Sequence, residues 1–320
     1  VEIKLIDRSS KEYADFALRC GTVFNDPDWL ALYGPKLALY GIFNGDNMVG
    51  TFHVYRQRKG GFSFIMNPPF TPHIGLAVDA KSKNASKAMS ETKKIIAAVA
   101  EHLDAMGRGG VVSCAVPTWA TDMQPLTWKK FKVVPHYTYH TDLTLAQSEL
   151  EDRMSAEHRN LLKKAVKDGL VCRPETNMQV IKKLVLKTFD RKNTGIDETM
   201  LDSILGKFAS SKNSFAFAAY DKEVPVAAAF CIHDKDSANY ILSGYDPESK
   251  HGGAGIICVW NCILHAKQMN LKIFDFEGSM LPEVERYFRG FGPVQVPYYT
   301  VNKAWLPLEM VLKFIKREQF

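Results

Sequence analysis

The chain has 320 residues, 46% of them apolar and 24% charged, and carries a formal charge of +6. That length suits two domains of about 150 residues, each able to bury a core, which excludes a disordered or fibrous chain. The positive balance favours an anionic partner without specifying nucleic acid or membrane, and no apolar run is long enough to span a bilayer.

The chain opens on Val-Glu-Ile-Lys-Leu-Ile-Asp, a charged alternating strand without the apolar stretch of a signal peptide, so a cytoplasmic protein is expected. Residues 37–43 and 48–55 are β-rich runs joined by Asn44, Gly45, Asp46 and Asn47, a strong hairpin signal. A short helix capped by Asp26 precedes them; a long helix over 86–106 and a strand over 110–116 follow. Between hairpin and long helix, Pro68, Pro69 and Pro72 remove main-chain donors, so residues 66–75 offer no nest for an anion. A strand over 137–145 closes this half, and a boundary near residue 146 divides the chain into domains 1–146 and 147–320.

The second half opens on a basic amphipathic helix whose apolar face is Leu161, Leu162, Ala165 and Val166. Arg159 and Lys163 share its polar face and can grip a phosphate, although such faces are commonly only solvated. A helix over 197–208 then leads to runs at 215–220 and 225–232 joined by Asp221, Lys222 and Glu223; a helix over 255–269 and a strand over 272–276 follow. The order α-β-β-β-α-β is thus written twice.

The halves differ where chemistry is expected. Gly252, Gly253 and Gly255 stand just before the second apolar helix, where main-chain N–H groups and the helix's positive end can hold an anion. The donor is therefore expected on the second half, with the first shaping the acceptor side. Alternation puts Asp275 and Glu277 on one strand face and Phe274 and Phe276 on the other, so two acids point together. Either can orient an ammonium or relay its proton; capping the next helix or pairing with Lys272 or Arg286 is the plainer role. His136 and His140 share a strand face without an evident partner, and no metal site is expected. Six cysteines without a Cys-x-x-Cys pair read as reduced core thiols.

The run Lys250-His-Gly-Gly253-Ala-Gly255 resembles the [RQ]-x-x-G-x-[GA] loop of the GNAT acyltransferases, with Lys in place of Arg or Gln. Together with the segment from Phe24 to Trp29, the helix from Arg159 to Leu170 and the ending Arg289-Gly-Phe-Gly292, it makes nearly the whole chain resemble the FemABX-type peptidyl/acyltransferases. The resemblance implies an α/β (α+β) fold of two tandem GNAT-like domains, each a mixed central sheet flanked by helices. It further implies transfer of an acyl or aminoacyl group, from acyl-CoA or aminoacyl-tRNA, to an amine of a small molecule or of a peptide or glycan precursor. On that reading Lys250, Gly252, Gly253, Gly255 and Tyr245 bind the donor, Arg159 and Lys163 the acceptor, and Asp275, Glu277 and Tyr287 act in catalysis. A non-catalytic protein that uses the same scaffold to bind a phosphorylated glycan, peptide or RNA end is the alternative.

Overall fold

The structure, a computed structural model, describes residues 1–80, 82–191, 195–249 and 251–320. Contacts divide the chain into two compact units, Val1–His136 with Pro297–Phe320, and Tyr137–Val296. Their border at 136/137 precedes the boundary read at 146/147, and residues 297–320 rejoin the first unit, a long-range return that composition does not reveal.

In the first unit, β1 (Glu2–Leu5), β2 (Leu37–Asn44), β3 (Asn47–Lys59) and β4 (Phe62–Met66) pair antiparallel in that order. A short β5 (Ala77–Val78) adds to β3, and β6 (Gly110–Val116) runs parallel to β4. The chain's last strand (Val294–Ala304) pairs antiparallel with β6 through its residues from Tyr299 onward. Two shorter helices, α1 (Lys11–Cys20) and α2 (Pro27–Ala31), precede the long α3 (Ala85–Met106), and α4 (Gln124–Trp128) follows β6. Asp26 caps α2 and Asn84 caps α3, each accepting main-chain N–H bonds that the first turn leaves over. Ile95, Ile96, Val99 and Leu103 of α3 recur at helical spacing and close over Phe52, Val54, Val112 and Cys114. The proline-rich loop spends its own donors: Thr71 on Pro68, Ile74 on Ala115 and Gly75 on the His73 ring.

The second unit begins within β7 (Lys132–Asp142). Next come α5 (Gln147–Arg153), α6 (Ala156–Lys167), β8 (Val171–Pro174), α7 (Met178–Arg191) and α8 (Glu198–Ser203). β8, β9 (Ser214–Asp221), β10 (Val224–His233) and β11 (Ser237–Tyr245) form an antiparallel run. The turn between β9 and β10 has both Lys222 and Glu223 at positive φ, matching the twist of the strands it joins. After β11 come α9 (Ala254–Gln268), β12 (Ile273–Asp275), α10 (Pro282–Arg289) and β13 (Val294–Ala304). β12 is parallel to β11 and antiparallel to β7. α9 is apolar nearly all round, which suits a helix sealed into the core: Cys258, Val259, Cys262 and Ala266 have no exposed surface. Cys114, Cys231, Cys258 and Cys262 are buried free thiols. The final helix, α11 (Leu306–Ile315), belongs to the first unit.

Candidate active site

The site forms where a parallel pair opens. β11 and β12 are in register at Ser237 with Ile273, Ala238 with Phe274 and Asn239 with Asp275. Beyond that, β11 runs on to Tyr245 without β12, so the pair parts at the carboxyl ends of parallel strands, a usual place for ligands in α/β sheets. Asp275 is the last residue of β12 and so stands at the mouth of the opening.

Two side chains from one face of β7 meet Asp275. Thr138 donates its hydroxyl to Oδ1 over 2.5 Å, and Nε2 of His140 lies 2.9 Å from Oδ2. A third bond comes from the Glu277 N–H, 2.8 Å from Oδ1. A carboxylate only accepts, so this set fixes the His140 proton on Nε2 and leaves Nδ1 as the ring's acceptor. The plainer partners read for Asp275, Lys272 and Arg286, are taken instead by Asp236 at 2.6 Å and Glu157 at 3.4 Å.

Glu277 lies beside Asp275, but the strand has ended by then. Its φ is +59° and that of Gly278 is +62°, a reversal that brings Gly278 against the Tyr137 carbonyl, where a Cβ would come within 2.3 Å. Part of the Glu277 side chain reaches the surface, yet its Oε1 is shut off from solvent and has no hydrogen-bond partner. Burial first, and the charge of Asp275 second, push its carboxyl well above the usual carboxylate range. The two acids are neighbours through this turn rather than through strand alternation, and their environments are unequal. Phe274 and Phe276 are buried on the other side, at 0% and 1% exposure.

The glycine loop serves two purposes. Gly253 caps α9, and a Cβ there would lie 2.5 Å from the Leu161 carbonyl of α6, so this glycine is required by close helix packing. Its N–H donates to Nδ1 of His251, whose Nε2 in turn faces Asp168 at 3.2 Å. The Ala254 N–H goes to the His251 carbonyl, and the first intrahelical bond is from Ile257 to Gly253. Helix geometry therefore leaves the N–H groups of Gly255 and Ile256 for a ligand. Gly255 faces Tyr287: a Cβ there would stand 3.1 Å from the phenol oxygen. Gly252 lies against the Leu161 side chain, and Lys250 falls outside the described residues.

A cavity of about 450 Å³ lies beside the glycine loop, lined by His158, Leu161, Gly252, Ile256, Arg286 and Tyr287 among others, but not by Thr138, His140, Asp275 or Glu277. Burial first, then the thiols Cys258 and Cys262, raise the Tyr287 phenol above its ordinary range, so the group is held neutral. His158 donates Nε2–H to the Tyr287 carbonyl at 3.0 Å and fixes that turn of α10. Tyr245 is held at the end of β11 by Thr188, whose hydroxyl accepts from its N–H at 2.8 Å. Arg159 is turned to the end of α5: its guanidinium donates to the carbonyls of Met154, Asp152 and Glu151. Lys163 is exposed. Thr138 and His140 are what sequence reasoning missed. Their alternation on β7 was visible, but the partner lies more than a hundred residues away.

The family model described as an acetyltransferase (GNAT) domain matches residues 183–289, from within α7 to the end of α10. No curated protein sequence matches the chain. Among solved structures it is similar to FemX, with a TM-score of 0.66 at 12% identity, covering 98% of this chain and 100% of that one. It is also similar to L-PGS from Bacillus licheniformis, with a TM-score of 0.57 at 11% identity and 98% of each chain covered. A tandem GNAT protein from the clavulanic acid biosynthesis pathway gives 0.54 at 11% identity, over 94% of this chain and 97% of that one. The matched stretch is a GNAT-type domain, and the fold of the chain is like that of a tandem GNAT protein, mixed sheets flanked by helices. Over nearly its whole length the fold is like that of FemX. Acyl transfer is the general activity that the matched domain supports. No described helix is long and apolar enough to cross a membrane.

Proposed function

We propose that the chain transfers an acyl or aminoacyl group, from acyl-CoA or aminoacyl-tRNA, to the amine of a small molecule or of a peptide or glycan precursor. The observation that carries the reading is Asp275, held by Thr138 and His140 at the opening between β11 and β12. The donor supplies the activated carbonyl carbon. The amine attacks it, the bond to the leaving sulfur or oxygen breaks, and the amine's proton passes to Nδ1 of His140, with Asp275 stabilising the imidazolium. Tyr287 returns a proton to the leaving group. The N–H groups of Gly255 and Ile256, at the positive end of α9, suit the donor's negative charge. Glu277, kept neutral, orients the acceptor as a hydrogen-bond donor.

The non-catalytic alternative has one observation in its favour. The N–H of Gly253 is already bound to His251, so the anion cradle is smaller than the sequence implies. Calorimetric titration with acetyl-CoA separates the readings. Binding that a Gly255→Glu variant loses while staying folded supports an acyl-CoA donor. Charged tRNA bound in place of CoA, with affinity falling steeply as salt rises, supports the aminoacyl donor. Binding without turnover of either donor on any amine supports the scaffold reading.

A further inference from the structure

Helix α11 has a surface that no described residue of the first unit covers. Leu308 and Leu312, one turn apart, pack inward on Val111, Ala304, Phe64 and Phe320. The rest of the apolar circumference faces away. Leu306, Met310 and Phe314 at i, i+4 and i+8 line one stripe and Val311 and Ile315 the next, with exposures reaching 90% at Phe314 and 73% at Ile315. Trp305, just before the helix, is half exposed. Isolated exposed apolar residues are ordinary, but a contiguous face of this kind on a folded domain marks an interaction surface.

The charges beside the face decide what it meets. Lys313, Lys316 and Arg317 follow in and just past the last turn, all exposed. Lys59 on the β3–β4 hairpin projects from the same sheet face as Phe64, on which α11 packs, because it stands opposite Phe62 in the register. The acids nearby are Glu309, paired to Lys313 at 2.9 Å, and Glu318. An apolar face ringed by an excess of cations, with a tryptophan at its rim, suits the boundary of an anionic bilayer. A second copy suits it poorly. A two-fold contact centred on Phe314 would set Lys313, Lys316 and Arg317 against themselves.

We propose that α11 docks the protein onto anionic lipid surfaces, lying in the interface with Met310, Phe314 and Ile315 inserted and the lysines and arginine on the headgroups. The surface belongs to the first unit and does not depend on the transferase reading.

The test is co-sedimentation of the full chain with phosphatidylcholine vesicles, with and without phosphatidylglycerol. The native chain is expected to sediment at least about tenfold more strongly with the anionic vesicles and to lose that preference in molar salt. Met310→Glu with Phe314→Glu, both on exposed positions, is expected to weaken binding about tenfold or more with thermal unfolding unchanged. Lys316→Glu with Arg317→Glu should remove the preference for the anionic lipid. Failure of the native chain to sediment with either vesicle overturns the proposal, as does binding indifferent to the Met310 and Phe314 substitutions. A native dimer in light scattering that the same substitutions dissolve would make this face a contact between copies and overturn it too.

Discussion

Nε2 of His140 lies 2.9 Å from Oδ2 of Asp275, and Thr138 closes on the other carboxylate oxygen from the same strand. The pairing orients the imidazole and leaves Nδ1 free to take a proton. His140→Gln keeps a donor toward Asp275 but cannot carry the proton. Its turnover is expected to fall about a hundredfold or more, while donor affinity in calorimetry is unchanged. Asp275→Asn should do the same. Unaltered turnover in both would take proton transfer away from this pair.

Glu277 makes stability respond to pH in a direction opposite to that of a salt-bridged acid. Burial and Asp275 hold its carboxyl well above the ordinary range, whereas in the unfolded chain it ionises at about 4.3. Between those values the folded chain binds the extra proton. Stability therefore falls as pH rises through that window, by up to about 1.4 kcal/mol per pH unit from this group. Glu277→Gln removes the exchange, so its urea midpoint should gain on the native one as pH rises above the ordinary carboxylate range. Parallel midpoints would mean that the carboxyl is ionised in the fold.

These two acids show how far the sequence could be read. Strand alternation predicts them together, but β12 ends at Asp275 and a turn at positive φ places Glu277, so neither their meeting nor their difference rests on alternation. The unpartnered Oε1 of Glu277 depends on a turn at positive φ and on Gly278 lying against Tyr137, neither encoded in spacing. Local signals such as the hairpin at Gly45, the caps at Asp26 and Asp197 and the apolar α9 were legible because each is decided within a few residues. His140 was not, since register with β12 is set by the whole sheet.

Arg159 and Lys163 are one turn apart on α6 but are not equivalent. Arg159 caps the carbonyl end of α5, while Lys163 projects into solvent. Arg159→Ala is expected to cost about 1–2 kcal/mol of stability through the lost charged bonds. Lys163→Ala should leave the unfolding midpoint where it is and weaken an anionic acceptor. A Lys163 variant with native KM for every acceptor tested would remove it from the site, and an Arg159 variant of native stability would undo the capping role.

Gly253 and Gly255 separate packing from binding within a single helical turn. A Cβ on Gly253 would meet the main-chain carbonyl of Leu161 at 2.5 Å, and backbone cannot yield as a side-chain tip does. Gly253→Ala should therefore push α6 from α9 and destabilise the protein by about 1–3 kcal/mol, with donor affinity falling only as far as the folded fraction falls. On Gly255 the neighbour is the Tyr287 hydroxyl at 3.1 Å, the end of a side chain at the cavity. Gly255→Ala should leave the unfolding midpoint within about 1 kcal/mol while displacing the phenol, so turnover drops more than donor affinity does. Thermal unfolding and titration on the two variants check both halves. Equal destabilisation with equal loss of turnover would mean that the loop acts as one packing unit, and Tyr287 would lose its place as the acid.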